Sequence, residues 1–149
     1  MKRLFTMMML LTMMVLPSMS QENKGIYIEP NMMIPMKFPS KMLEGGYFLK
    51  LKNDTIDLYL PYMGETYSPV FNSDGLNFKE PVKNVKVQVK NKKNSTRTTT
   101  NLEVEHQGIK YKIQLTTWGV NENGQIDVNP NNGTSCSYSG QQMEFPVKK

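Results

Sequence analysis

Two stretches of alternating apolar and polar residues, each centred on a two-residue turn signal, most constrain the fold of this 149-residue chain. The first covers residues 46–62 around Asn53-Asp54, and the second covers residues 101–117 around Gln107-Gly108. Alternation with a period of two is typical of a strand with one buried face, and a short polar or glycine-containing pair between two such runs is typical of a hairpin turn. The pattern therefore predicts two antiparallel hairpins.

The first hairpin has a register that both of its faces support. A turn at Asn53-Asp54 sets Leu49 opposite Leu58 on the apolar face. The other pairs of this register are Tyr47 with Leu60 and Leu51 with Ile56 on the inner face, and Lys50 with Asp57 and Phe48 with Tyr59 on the outer face. A slip by one residue would exchange the two faces and lose every favourable pair.

The second hairpin follows the same logic and continues upstream into a third strand. Its predicted pairs are Leu102 with Ile113, Val104 with Tyr111 and His106 with Ile109 on the apolar face, and Glu103 with Lys112 and Glu105 with Lys110 on the wet face. Upstream, Val85, Val87 and Val89 alternate with polar residues, which predicts a strand that residues 91–96 join to the hairpin. We therefore expect these three strands to form an antiparallel meander.

The remaining segments predict short strands and turns. Residues 64–81 are punctuated by proline and glycine, and we expect an excursion with at most a short strand at residues 76–78. Turn signals at residues 121–124 and 129–133 lead into one or two short final strands. The expected architecture is all-β, a single antiparallel meander-type domain over residues 21–149, arranged as a sandwich or a flattened open barrel.

The first 20 residues predict a cleaved signal peptide. Lys2 and Arg3 precede an apolar run over residues 4–16, and the small residues Ser18 and Ser20 place the cleavage site before Gln21. The run is shorter than the roughly 20 apolar residues of a transmembrane helix. We therefore expect an exported protein, periplasmic or extracellular, without a transmembrane segment. A lipoprotein is not expected, since the single cysteine lies far from the cleavage site.

The motifs Gly46-Tyr47-Phe48 and, over residues 59–64, YLPYMG carry a resemblance to a known family. The chain resembles domain of unknown function family 4251, which comprises exported Bacteroidota proteins marked by GYF and YLPYFG. The likeness continues through residues 49–57, 75–78, 123–124, 129–132 and 137–140. It implies the fold and the compartment, and it implies no activity or ligand. Met63 departs from the family pattern, and a helical segment usual after the leader is missing.

Catalytic and metal chemistry have few candidate residues. His106 is the only histidine and lies on the apolar face at a hairpin end, where a packed histidine is the commoner role. Cys136 alternates with Tyr138 and is expected to be a small buried apolar residue. One cysteine and one histidine do not make a zinc site, and residues 119–130 lack the terminal carboxylates of a calcium loop. We therefore expect no catalytic residue, no metal and no cofactor.

The aromatic residues are the stronger functional signal. Phe48 and Tyr59 pair on the face opposite the aliphatic core, Tyr62 and Tyr67 follow closely, and Trp118 lies outward on its own strand. Either a second layer packs on these rings or they line a ligand groove. With Phe48, Tyr59 and Tyr62 as candidate ligand residues, we expect a non-enzymatic binding module for a glycan, a peptide or an envelope partner. The alternatives are a small periplasmic hydrolase using His106 and a purely structural envelope protein.

Basic residues form a strip upstream of the second hairpin. Its members are Lys83, Lys86, Lys90, Lys92 and Lys93. No aromatic residues are interleaved with them, and removal of the leader leaves a net charge of only +3, from 16 basic and 13 acidic residues. We expect a solvated edge that discourages strand addition, and no nucleic-acid partner.

Thr55 is a candidate modification site. Asp54-Thr55-Ile56 is similar to the aspartate, hydroxyl residue, aliphatic pattern that Bacteroidota use for O-glycosylation of exported proteins. The predicted register turns the side chain of Thr55 away from the core. The same residues are also ordinary turn chemistry.

Overall fold

The computed structural model describes residues 25–64 and 75–146. The predicted signal peptide and Tyr67 therefore lie outside the described residues. The described chain forms nine strands: β1 (Ile26–Pro35), β2 (Lys41–Met42), β3 (Phe48–Lys52), β4 (Thr55–Leu60), β5 (Leu76–Lys92), β6 (Ser95–His106), β7 (Ile109–Thr117), β8 (Asn123–Pro130) and β9 (Cys136–Met143). Within these ranges no helix has the length and apolar character needed to cross a membrane.

The strands form one antiparallel sheet that closes into an eight-stranded barrel. From β3 to β9 each strand pairs with the next along the chain, and β1 pairs with both β3 and β9. The contact of β1 with β9 extends from Tyr27 opposite Met143 to Pro35 opposite Cys136. The short β2 adds to β1 beyond the part that pairs with β3. The expected all-β antiparallel domain is thus confirmed, and the sheet differs from a sandwich or an open barrel in being closed by β1.

Both predicted hairpins form in the predicted registers. Leu49 faces Leu58, and the outward pairs Lys50 with Asp57 and Phe48 with Tyr59 are present. Every predicted pair of the second hairpin is also present. Asn53 and Asp54 have φ angles of 50° and 57°, and Gln107 and Gly108 have 51° and 78°. Positive φ at both central residues gives the turn the twist that two antiparallel strands require.

The strand β5 is longer than the sequence predicts. Residues 76–78 and the valine strand were expected as separate pieces, but they are continuous from Leu76 to Lys92. The register shifts between Lys83 and Lys86, where Asn84 has a φ of 53°. An extra residue at such a bulge lets one strand bend and continue, so that β5 leaves β4 and stays paired with β6.

The interior of the barrel holds one continuous core. Its buried apolar residues come from every strand except β2: Ile28, Met33, Leu49, Ile56, Leu58, Leu60, Leu76, Phe78, Leu102, Val104, Ile109, Tyr111, Ile113, Leu115, Ile126, Val128, Cys136 and Tyr138. They are the inward-pointing residues of their strands, because successive side chains of a strand point to opposite faces. The polar and aromatic outward members are left on the outer surface, where the candidate site lies.

Candidate functional site

Aromatic rings gather on the outer surface of β1, β3 and β4. The ring centroids of Phe48 and Tyr59 are 6.5 Å apart, and those of Tyr47 and Tyr59 are 5.2 Å apart. All three rings belong to half-buried residues. Tyr47 was expected inward opposite Leu60, but it precedes the first residue of β3 and its ring lies against Tyr59. Tilted rings at these distances attract one another, which holds the group in place.

Lys50 extends this group to β1. Its Nζ lies 4.7 Å from the ring centroid of Phe48 and 5.0 Å from that of Tyr27. Tyr27 is the partner of Lys50 across the β1–β3 pair, and Asp57 is its partner across the β3–β4 pair. A lysine between two rings gains attraction from both and also fixes their spacing. We call Tyr27, Tyr47, Phe48, Lys50 and Tyr59 the aromatic patch.

Polar groups border the patch. The hydroxyl of Tyr27 donates a hydrogen bond to a carboxylate oxygen of Glu29. Partial burial, the hydrogen bond to Glu29 and the charge of that carboxylate raise the pKa of Tyr27 to about 12. The phenol is therefore protonated at neutral pH and acts as a donor. The patch offers ring faces together with an ammonium group, carboxylates and a hydroxyl within a few residues.

Tyr62 lies elsewhere, although the sequence placed it beside Tyr59. Its hydroxyl donates to the main-chain oxygen of Thr134 at 2.5 Å, and its ring packs against the core. The hydroxyl of Tyr138 donates to the main-chain oxygen of Pro61 at 2.5 Å. These two bonds tie the chain after β4 to the segment around β9. Tyr62 therefore helps to close one end of the barrel and is not a member of the aromatic patch.

His106 has a carboxylate partner. Its Nδ1 lies 2.8 Å from Oε1 of Glu80, and its ring stacks on Phe78 with centroids 4.6 Å apart. The hydrolase alternative required a carboxylate or hydroxyl within hydrogen-bond reach of this ring, and Glu80 meets that requirement. Glu80 is on β5 and His106 is the last residue of β6, whereas the rings of the patch belong to β1, β3 and β4 and the residue before β3.

Cys136 is buried at 1% exposure. Burial raises the pKa of its thiol, and a weaker opposing effect comes from hydrogen bonding to Tyr138 and to the main chain of Met63. Burial also raises the pKa of Tyr138. In the described parts of the chain, no group of three or more His, Cys, Asp or Glu side chains could hold a metal ion.

We expect Cys136 to react slowly with a thiol reagent in the folded protein. The thiolate is the nucleophile, and burial both raises the pKa of the thiol, which favours the unreactive protonated form, and excludes the reagent from the core. Labelling followed by mass spectrometry should be at least about a hundredfold slower than in urea-unfolded protein. Equal labelling rates in the folded and unfolded protein would contradict the burial of this side chain.

Thr55 is the first residue of β4 and is half-buried on its outer side. It pairs with Lys52 and Pro81 on its two neighbours. Its modification stays a prediction, to be checked by comparing the intact mass of native protein with that of Thr55→Ala.

These features define the class of protein, which is a closed, eight-stranded antiparallel barrel with an aromatic patch on its outer surface. The chain belongs to the family described as Domain of unknown function (DUF4251), whose sequence model matches residues 20–142. This confirms the resemblance found in the sequence motifs. No curated protein matches the chain.

A solved structure has the same fold. It is the crystal structure of a DUF4251 family protein from Bacteroides eggerthii, which is similar to this chain with a TM-score of 0.60 and 19% sequence identity. The similarity covers 82% of this chain and 80% of that one. At this identity the likeness supports the barrel and leaves the ligand to be argued from the site.

Three members of the patch were not predicted as site residues. Tyr47 was expected inward, opposite Leu60, but its ring lies against Tyr59. Tyr27 lies in β1, whose pairing with β3 was not predicted, and Lys50 was predicted only as the cross-strand partner of Asp57. The pattern of alternation did mark Lys50 as an outward neighbour of Phe48. Alternation along residues 25–28 could have placed Tyr27 outward in the same way.

Proposed function

We propose that this protein is a non-enzymatic, exported binding module whose ligand surface is the aromatic patch. The observation that carries the proposal is the position of the rings. The core inside the barrel is filled by the inward residues, so Phe48 and Tyr59 are not needed to fill it. They are nevertheless held together on the outer surface and remain partly exposed.

The chemistry of the patch suits a glycan, a peptide or an exposed segment of an envelope partner. Ring faces provide large apolar contact areas with little loss of side-chain freedom on binding. Lys50 lies between two of these rings, Asp57 and Glu29 lie beside the patch, and all three can direct a ligand through hydrogen bonds. Recognition sites commonly combine a few aromatic anchors with a small number of placed polar groups.

Variants of the two central rings test this proposal. We expect Phe48→Ala and Tyr59→Ala each to weaken ligand binding about tenfold, because an aromatic anchor contributes roughly 1 to 2 kcal/mol. The immobilised full chain is offered soluble envelope glycans in one arm and an envelope extract in the other. Bound material is identified by mass spectrometry and its affinity is then measured by calorimetry.

A matched control is Val120→Ala, which trims an apolar side chain that is 48% exposed and not part of the patch. It should bind as the native chain does. Circular dichroism checks that all variants fold. If the patch variants retain every ligand of the native chain, or if the native chain retains none in either arm, the patch is not a binding surface.

One observation favours the hydrolase alternative, namely the contact between His106 and Glu80. The ring of His106 is also stacked on Phe78, which is an arrangement that stabilises a barrel end without any reaction. Assays with ester, amide and glycoside substrates on native protein and His106→Ala separate the two. Turnover by native protein that is lost in His106→Ala would establish the enzyme.

A further inference from the structure

One edge of β5 has no strand beside it in the described parts of the chain. The pairing of β5 with β4 ends where Pro81 faces Thr55, and the amide of Val82 donates to the main-chain oxygen of Asp54 at 2.8 Å. Beyond this point, among the residues that the structure describes, β5 pairs only with β6, as far as Lys92. We call residues 83–92 the free edge. Unpaired amide and carbonyl groups along such an edge are a template for another strand.

The free edge presents a row of valines to solvent. Val85, Val87 and Val89 are 43%, 59% and 58% exposed. Across the β5–β6 pair, Val87 faces Thr100 and Val89 faces Thr98. Thr100 is buried at 3% exposure and Thr98 is half-buried. The valines are therefore the exposed apolar part of this face, and covering them with another chain would stabilise the pair.

The same edge is strongly basic. Between Lys83 and Leu102 the chain has six basic residues and no acidic one. All six are exposed: Lys83, Lys86, Lys90 and Lys92 on the free edge, Lys93 in the turn that follows it and Arg97 on β6. Glu103 of β6 faces Lys83, so the part of the free edge without an acidic neighbour begins after that pair. The sequence predicted a basic edge that discourages strand addition, and like charges do oppose the pairing of this edge with the same edge of a second copy. They attract a strand of opposite charge.

We propose that the free edge of β5 binds an extended acidic segment of a partner protein by strand addition. Along β5, Val87 and Val89 point to one face, and Lys86 and Lys90 point to the other. The fitting partner strand therefore alternates apolar residues, which cover the valines, with acidic residues, which pair with the lysines. Main-chain hydrogen bonds supply affinity and the alternation supplies specificity. This surface is separate from the aromatic patch on β1, β3 and β4.

The test uses a synthetic decapeptide of alternating glutamate and valine with blocked termini and a fluorescent label. Fluorescence anisotropy should show saturable binding to the full chain, and added salt should weaken it. The double variant Val87→Thr with Val89→Thr should lower the affinity about tenfold, since it replaces two apolar methyl contacts with hydroxyl groups. Lys86→Gln with Lys90→Gln should lower it by a similar factor at low salt.

Matched controls are Val120→Thr and Lys41→Gln, which change an exposed valine and an exposed lysine away from this edge. Both should bind the peptide as the native chain does. Hydrogen exchange should slow at amides of residues 83–92 when the peptide is bound, because strand addition protects them.

Several results would overturn the proposal. One is the absence of saturable binding, and another is unchanged affinity in the valine variant. Equal binding of a peptide of the same composition with a central proline, or of a DNA oligonucleotide of the same charge, would show attraction by charge alone. Unchanged exchange at residues 83–92 in the complex would place the peptide elsewhere.

Discussion

Replacing Leu49 by alanine should lower the free energy of unfolding by about 2 to 5 kcal/mol. Leu49 is fully buried, and it lies between Ile28 of β1 and Leu58 of β4. Truncation removes apolar contacts with both neighbours and leaves a cavity that three paired strands cannot collapse to fill. Urea denaturation followed by circular dichroism measures the change.

The matched control for Leu49 is Met42→Ala. Met42 is 66% exposed on β2, so the loss of its large side chain should change stability by less than about 0.5 kcal/mol. Equal stability of the two variants would contradict the inward position of Leu49 and with it the register of the first hairpin.

The substitution Gly140→Ala should lower the free energy of unfolding by about 3 kcal/mol, which is a large effect for the addition of one methyl group. Gly140 pairs with Pro30 where the register of β1 and β9 shifts. An added Cβ would lie 2.6 Å from the Cα of Pro30 and even closer to the main-chain oxygen of Glu29. Both are backbone atoms, so relief requires that the two strands separate at the closure of the barrel.

Gly45→Ala adds the same methyl group where no heavy atom lies within 4 Å. It should leave the thermal midpoint within a degree or two of the native value, whereas Gly140→Ala should lower it by roughly 10 °C or more. A Gly140→Ala protein as stable as Gly45→Ala would show that β1 and β9 are not in close contact.

The parts of the fold that could be predicted are those in which local signals agree. In each hairpin the turn residues and both faces of the strands specify one register within about 17 residues. Closure of the barrel is different. The alternation of β1 shifts at a bulge between Pro30 and Met32, and the partner strand β9 lies more than one hundred residues further along the chain. No local pattern reports such a pairing.

The same distinction applies to the candidate site. The pairing of Phe48 with Tyr59 follows from the hairpin register, and it was predicted. The place of Tyr62 depends on Thr134, which is 72 residues away. Pro61 ends the alternation of β4, so the sequence does not predict on which face of the sheet the side chain of Tyr62 lies. Tyr27 joined the patch only through the pairing of β1 with β3.

The union of the first strand with the last has a consequence for the order of folding. Tyr27 and Met143 are paired although more than one hundred residues separate them in sequence. The meander from β3 to β8 can form from neighbouring segments, whereas the ring is completed only after the end of the chain is available. Contacts of such large sequence separation slow folding, because the entropy of a long loop is lost before the contact forms. Until that step both terminal edges of the sheet are open, and this is when the chain is most prone to aggregate.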